Sequence, residues 1–295
     1  MTIHQEIAPA DDQSQPVHFW TEVLAPKFIR FRHVLQGGLS RHSEAVFPEL
    51  PIRSGDRILD VGCGFGDTAL LLAERTGEAG EVVGMDCCDA FLDLARDDAE
   101  RQGVGNVRFI ADDVERGLDE GRFDFVFARF GTMFFANPVA GLRAMHACMK
   151  PGGRMAHIVW RQRQDNPWLI DARDIVRQFL PPPGEAAQTC GPGPFSMADE
   201  TVTRAQMKAA GYIDIHFQRI DAKVNVGRDV ADAIAFQLAI GPAGETFREA
   251  GALAEERRAD IEAALEAHFR DIAARNDGLW MDSSSWLITA RAPGA

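Results

Sequence analysis

The chain reads as an α/β protein built on a doubly wound, mostly parallel sheet, and three observations predict it. Short apolar runs at residues 57–61, 82–85, 107–110, 123–128 and 155–160 recur with helix-like stretches between them. Alternating β and α units of this kind wind into a parallel sheet with helices on both faces. The first run ends in Asp60-Val61-Gly62-Cys63-Gly64-Phe65-Gly66, three glycines at alternate positions directly before a helical segment starting at Thr68. Glycine lacks a Cβ, so such a turn takes otherwise forbidden dihedrals and lets a ligand lie against bare backbone at a helix start. The third observation is a row of acids, Asp60, Asp86 and Asp112, each at the carboxyl end of a successive strand, the edge at which open α/β sheets bind ligands.

The connecting elements follow from local pattern. Phe91, Leu94 and Ala95 share one helical face, and Pro138 opens a helix whose apolar face carries Leu142, Met145 and Met149. Lys150-Pro151-Gly152-Gly153 breaks the chain before the fifth strand. Ser196 with Asp199 three residues on is a capping-box pattern, and Gly211 ends that helix before a strand over 212–217. A last strand covers 286–290. Residues 1–16 lack a sustained period and read as a flexible leader, with one domain over 17–295. Its core spans about 45–160, 196–222 and 280–292. The segments 17–42, 161–195 and 223–279 fall outside the β/α alternation and read as N-terminal helices and a helical cap over the open edge of the site.

Composition narrows the partners. In 295 residues, a net charge of −13 disfavours a duplex nucleic acid, which needs a basic surface to displace counterions. No apolar run approaches the roughly 20 residues that cross a bilayer. Five cysteines without repeating spacing, and no secretory signal, suggest reduced thiols and a cytoplasmic protein, monomer or homodimer. No acids cluster beyond the strand-end row, so no metal is expected.

The glycine spacing decides between cofactors. A dinucleotide fingerprint needs a third glycine at position 67, where Asp67 stands. The spacing D-x-G-x-G-x-G instead resembles motif I of the class I S-adenosylmethionine (SAM) dependent methyltransferases, strongly over residues 55–160. The later elements, with Gly193-Pro194-Phe195 before the late helix, look like the UbiE-like small-molecule group. That resemblance implies a Rossmann-like seven-stranded sheet of order 3-2-1-4-5-7-6 with the last strand antiparallel. It also implies SAM as cofactor, S-adenosylhomocysteine as product, and a cofactor site made of Asp60, Gly62, Cys63, Gly64, Gly66, Asp86, Cys87, Asp112, Asp113, Val114 and Arg129. Asp86 would accept the ribose hydroxyls, Asp112 would meet the adenine amino group and Cys87 would pack on its face. Asp60 would hold the glycine loop and the cofactor ammonium. A nicotinamide oxidoreductase and a SAM-binding protein without catalysis are the competing readings.

The acceptor is less legible. After strand four stands Ala128-Arg129-Phe130-Gly131-Thr132-Met133-Phe134-Phe135, without the Asn/Asp-Pro-Pro-Tyr motif that cradles a planar amino group in nucleobase and glutamine methyltransferases. The aromatic and Met residues suggest a small, partly apolar acceptor, or simply core. Residues 27–42 carry Lys27, Arg30, Arg32, His33, Arg41 and His42 and no acid. This cluster, with Arg129 and Arg161, faces an anionic acceptor or the SAM carboxylate, or else is a basic helix face paired with acidic surface. His18, His33 and Arg129 are candidates for the catalytic role, with His157 a further histidine near the mouth; an imidazole titrates near neutrality and takes a hydroxyl proton, although each histidine also suits a structural role.

Overall fold

The computed structural model describes residues 15–184, 187 and 190–294. Most of the expected leader therefore lies outside the described residues. A helix, α1 (Gln15–His18), already runs from Gln15, two residues before the expected start. It continues through a wide π-helical turn, Phe19–Leu24, into α2 (Ala25–Arg30), and α3 (Ser40–Val46) follows.

The sheet core begins with β1 (Arg57–Val61), α4 (Asp67–Thr76), β2 (Glu81–Asp86), α5 (Asp89–Gln102) and β3 (Val107–Ala111). Next come β4 (Phe123–Arg129), α6 (Pro138–Ala147), β5 (Met149–Trp160) and α7 (Pro167–Val176). The chain closes with α8 (Glu200–Ala210), β6 (Ile213–Asn225), α9 (Val230–Ala239), α10 (Gly241–Glu249), α11 (Ala252–Arg275) and β7 (Trp280–Arg291). The seven strands lie in the order β3-β2-β1-β4-β5-β7-β6, as expected. β1 to β5 pair in parallel, and β7 runs antiparallel to both β5 and β6.

Both faces of this sheet are covered, which is why its central strands read as continuous apolar runs rather than as alternating ones. Leu59, Val83 and Val126 pack on one side with Leu142 and Met145 of α6, Val176 of α7 and Met207 of α8. Their neighbours Ile58, Val82, Phe125 and Phe127 point the other way, against Val46 of α3 and Leu72 of α4. Ile58, Leu59, Phe125 and Val126 are all fully buried. Truncating such a phenylalanine to alanine costs about 3–5 kcal/mol.

Three boundaries differ from the sequence reading. The Lys150-Pro151-Gly152-Gly153 stretch interrupts a strand rather than preceding one. β4 pairs Phe123 with Met149 and then Phe125 with Arg154, so the extra residues bulge out. Gly152 takes φ +71, which lets the strand resume. The cap of α8 is Asp199, whose side chain accepts from the Val202 amide. Ser196 instead donates to the Met133 carbonyl at 2.5 Å, because a turn closed by its own amide to Gly193 keeps it out of the helix. β6 and β7 are much longer than expected. Pairing with each other from Ile213↔Arg291 to Asn225↔Trp280 extends them through polar residues whose own pattern is not strand-like.

Candidate functional site

Three short loops at the carboxyl ends of β1, β2 and β3 make the floor of a cavity of about 920 Å³. That volume lies in the range of cofactor and ligand sites. The glycine turn shapes it first. Gly62, Gly64 and Gly66 adopt φ of +66, +53 and +78, the left-handed region that penalises a side chain. Gly62 packs against the backbone of the β4 loop, where a Cβ would stand 3.3 Å from Gly131 Cα. A Cβ on Gly64 would meet nothing within 4 Å, so the loop presents open space to whatever lies in the cavity.

Of the residues expected at the cofactor, Gly62, Cys63, Gly64, Asp86, Cys87, Asp112, Asp113, Val114 and Arg129 line this one cavity. Asp60 and Gly66 do not line it, and both have a structural reason to be where they are. Asp60 is fully buried behind the turn and accepts a 2.7 Å bond from the Thr68 hydroxyl, tying β1 to the first turn of α4. Its second oxygen, Oδ1, has no partner, and burial pushes its carboxyl up to about 7. A Cβ on Gly66 would strike Ala95 at 2.7 Å, so that glycine serves helix packing.

Asp86 closes the glycine turn from the β2 side. Its Oδ2 accepts from the Gly64 amide at 2.9 Å and its Oδ1 from the Cys88 amide at 3.0 Å. Burial nevertheless outweighs these bonds and raises its carboxyl to about 6. Two backbone bonds leave lone pairs on both oxygens for a ligand hydroxyl. The Cys63 and Cys87 thiols beside it are pushed up by burial and by neighbouring acids, which keeps them protonated.

Arg129, at the end of β4, is held by two partners that the sequence reading did not pair with it. It donates to Asp67 Oδ2 at 2.7 Å and to Ser43 Oγ at 2.8 Å. Asp67 is the residue that replaces the missing glycine, so the same position that spoils a dinucleotide fingerprint fixes the arginine at the cavity wall. Phe130 follows with φ +58, an uncommon conformation for a bulky residue. Its ring stacks on Trp160 at 3.9 Å and 11°, an attraction that helps hold the backbone there. Glu115 also escaped notice: it accepts from the Ala136 and Asn137 amides at 3.0 and 2.9 Å and anchors the loop after β4. Neither signal is visible locally, since both partners lie far along the chain.

Helices and loops from the other segments form the upper walls. Trp20 and Phe28 from the N-terminal helices, Phe134 after β4, Trp168 and Arg173 of α7, and Phe236 of α9 all line the cavity. Trp20 meets Phe134 edge-on at 5.2 Å and Phe28 at 5.1 Å. Phe134 thus belongs to the cavity wall, whereas Met133 is almost fully buried core that also touches it.

The basic cluster of residues 27–42 does not face this cavity. Arg32 pairs with Asp98, His33 Nε2 lies 2.6 Å from Asp232, and Arg41 sits 3.7 Å over the Trp280 ring. Lys27 and Arg30 border a separate groove beside α9 to α11. Arg161, expected with them, pairs with Asp165. Short helices separated by wide turns splay these side chains around several faces, so a cluster in sequence is not one in space. The candidate imidazoles likewise do not line the cavity. His18 is exposed and does not line it, and His33 is taken by Asp232. His157 is fully buried in β5 with Nδ1 3.1 Å from Thr132 Oγ1, and burial lowers it to about 3. His42 is fully buried between Ser283 and Ser285, at 2.7 and 2.9 Å, and burial lowers it to about 4. Ser283 spends its proton on the Ala222 carbonyl, so His42 Nε2–H donates to Ser283 and Nδ1 accepts from Ser285.

An open, twisted α/β sheet with an antiparallel seventh strand, carrying a glycine turn and acids at its carboxyl edge, defines a cofactor-binding domain of the class I methyltransferase type. A methyltransferase-domain family model matches residues 58–153. The UbiE C-methyltransferase of ubiquinone and menaquinone biosynthesis from Ectopseudomonas mendocina is 33% identical over 181 residues, 60% of this chain and 70% of that protein. The UbiE of Azotobacter vinelandii is 37% identical over 135 residues, 45% of this chain. The match spans 53% of that relative, so the chain aligns with about half its length. Among solved structures, YcgJ from Bacillus subtilis superposes with TM-score 0.53 at 18% identity, covering 86% of this chain and 99% of its own. The chain belongs to the UbiE-like group of the class I SAM-dependent methyltransferases. The nicotinamide oxidoreductase alternative falls with that membership. Among the described residues no helix is long and apolar enough to cross a membrane.

Proposed function

We propose that the protein transfers the methyl group of SAM to an oxygen, carbon or nitrogen atom of a small organic metabolite. The observation that carries this reading is one cavity that joins the glycine turn and strand-end acids to an aromatic wall contributed by other segments. In it, the Gly62 to Gly64 backbone and Asp86 hold the sugar and amino-acid parts of the cofactor, Asp112, Asp113 and Val114 border the base, and Arg129 guards the glycine turn. When bound, SAM supplies an electrophilic methyl on a sulfonium. The chain supplies position: the aromatic wall orients the acceptor in line with that methyl and excludes water, which accounts for a large share of rate in such a displacement. Among the described residues no imidazole lines the cavity, so an acceptor that reaches it already ionised or nucleophilic fits best. The free thiols among the described residues suit a reducing, cytoplasmic setting.

Two measurements test the reading. Calorimetry with S-adenosylhomocysteine should show a single site. Incubation with methyl-labelled SAM and fractionated small metabolites should then move label to an acceptor; binding without any transfer would leave a cofactor-binding protein that lacks catalysis.

A further inference from the structure

The charges that line the cavity are segregated. Asp67, Asp86, Asp112, Asp113 and Glu115 lie on the strand-end side, where Arg129 is the basic residue among them. The segments after β5 bring Arg163, just beyond that strand, Arg173 and Arg177, one helical turn apart at the end of α7, and Arg248 of α10. In a chain of net charge −13 this is a local reversal of sign. The arginines also differ from those of the N-terminal helices in how they are used. Arg163 and Arg177 are exposed and form no ion pair among the described residues; Arg163 lies 5.6 Å over the Phe195 ring. Arg173 pairs with Asp174, whose side chain is outside the lining. Glu245 of α10 is the acid that these segments add to the lining, beside Arg248 of the same helix, which pairs with Glu249.

We propose that this arginine wall binds the acceptor through a carboxylate, so that the substrate class is an aromatic or strongly apolar carboxylic acid. A guanidinium fork matches a carboxylate in two parallel bonds, and two or three such forks at one opening attract and orient an anion. The Trp20 and Phe134 rings at 5.2 Å offer the apolar part of the ligand a surface of matching chemistry. The acceptor's charged end lies at the arginines and its ring against the aromatic wall, which leaves its reacting atom toward the strand-end side. The proposal rests on reading the strand-end side as the cofactor side.

The test uses the full-length protein saturated with S-adenosylhomocysteine and two isosteric probes, 2-naphthoate and its neutral amide, 2-naphthamide, titrated by calorimetry. The naphthoate should bind at least about tenfold more tightly than the amide, the scale of one charge-assisted contact. In an Arg163→Gln/Arg177→Gln double variant that preference should fall to about twofold or less, while affinity for S-adenosylhomocysteine stays within about twofold. Equal binding of the two probes, binding of neither, or a preference that survives the double substitution overturns the proposal. So does a variant that loses S-adenosylhomocysteine instead, since the arginines would then serve the cofactor. If the unaltered protein fails to bind S-adenosylhomocysteine, the methyltransferase reading fails; the probe preference, measured on the free protein as well, still judges the arginine wall.

Discussion

The floor and the upper walls of the cavity are built in opposite ways. The floor comes from three loops, each immediately after a strand, and its geometry is enforced by backbone: positive φ at Gly62 and Gly64, and amides of Gly64 and Cys88 donating to Asp86. The walls come from segments as far apart as Trp20, Phe134, Trp168 and Phe236, and they are enforced by side-chain packing. The floor therefore suits one ligand held the same way throughout a family, and the walls suit a ligand that varies. Changes in the two regions should separate cleanly in experiment.

The sharpest break is expected at Gly62. Replacing it by valine forces a β-branched residue into φ +66 and presses it on Gly131, closing the floor. S-adenosylhomocysteine affinity should fall by more than about 100-fold, on the order of 3 kcal/mol. Retained binding would detach the glycine turn from the cofactor.

Next comes His42, buried between two serines of β7. His42 is neutral in the fold, with its pKa depressed from 6.5 to about 4. The unfolded chain thus binds its proton first as pH falls, so the stability that His42 contributes is present above 6.5 and lost progressively toward 4. The full loss is about 3 kcal/mol, the worth of a shift of that size. Urea midpoints followed from pH 7 to 4 should show a weaker slope in His42→Asn than in the unaltered protein. Parallel slopes would place the acid sensitivity elsewhere, His157 being the next candidate.

Asp86→Ala should weaken S-adenosylhomocysteine by about 1–3 kcal/mol, the cost of losing charged hydrogen bonds. Because burial raises the Asp86 carboxyl to about 6, the same affinity in the unaltered protein should hold above pH 7 and decline as pH drops below 6. The sign follows from which form accepts ribose hydroxyls: the ionised one, which is depleted on acidification. A flat profile from 8 to 5 would remove Asp86 from the ribose.

The smallest effect is predicted on the other wall. Trp20→Leu keeps an apolar side chain but loses the edge contacts to Phe28 and Phe134, and should change S-adenosylhomocysteine affinity less than about threefold while lowering acceptor turnover more strongly. A large loss of cofactor binding would merge the two regions into one.

How much of this was legible depended on range. The strand and helix order, the glycine turn and the acids at the strand ends are set by residues within a few positions of one another, and there sequence and structure coincide. Where partners lie far apart, the sequence misled or was silent. The run Lys27 to His42 looks like one basic face, yet Arg32 goes to Asp98 and His33 to Asp232. Asp60, expected at the glycine loop and the cofactor, is buried outside the cavity lining and accepts from Thr68, a partner the local pattern did not name. Asp199 rather than Ser196 caps α8 because Ser196 is drawn to the Met133 carbonyl.

By itself, then, the sequence determined the doubly wound sheet and the cofactor-type edge, since periodicity, glycine dihedrals and the position of an acid after a strand act locally. The tertiary structure alone decided which aromatic rings meet over that edge, which cations pair with surface acids and which are left at the cavity, and that Asp67 secures Arg129. Those outcomes depend on how helices from three distant segments pack together, and side-chain packing is a property of the assembled chain that no single stretch carries.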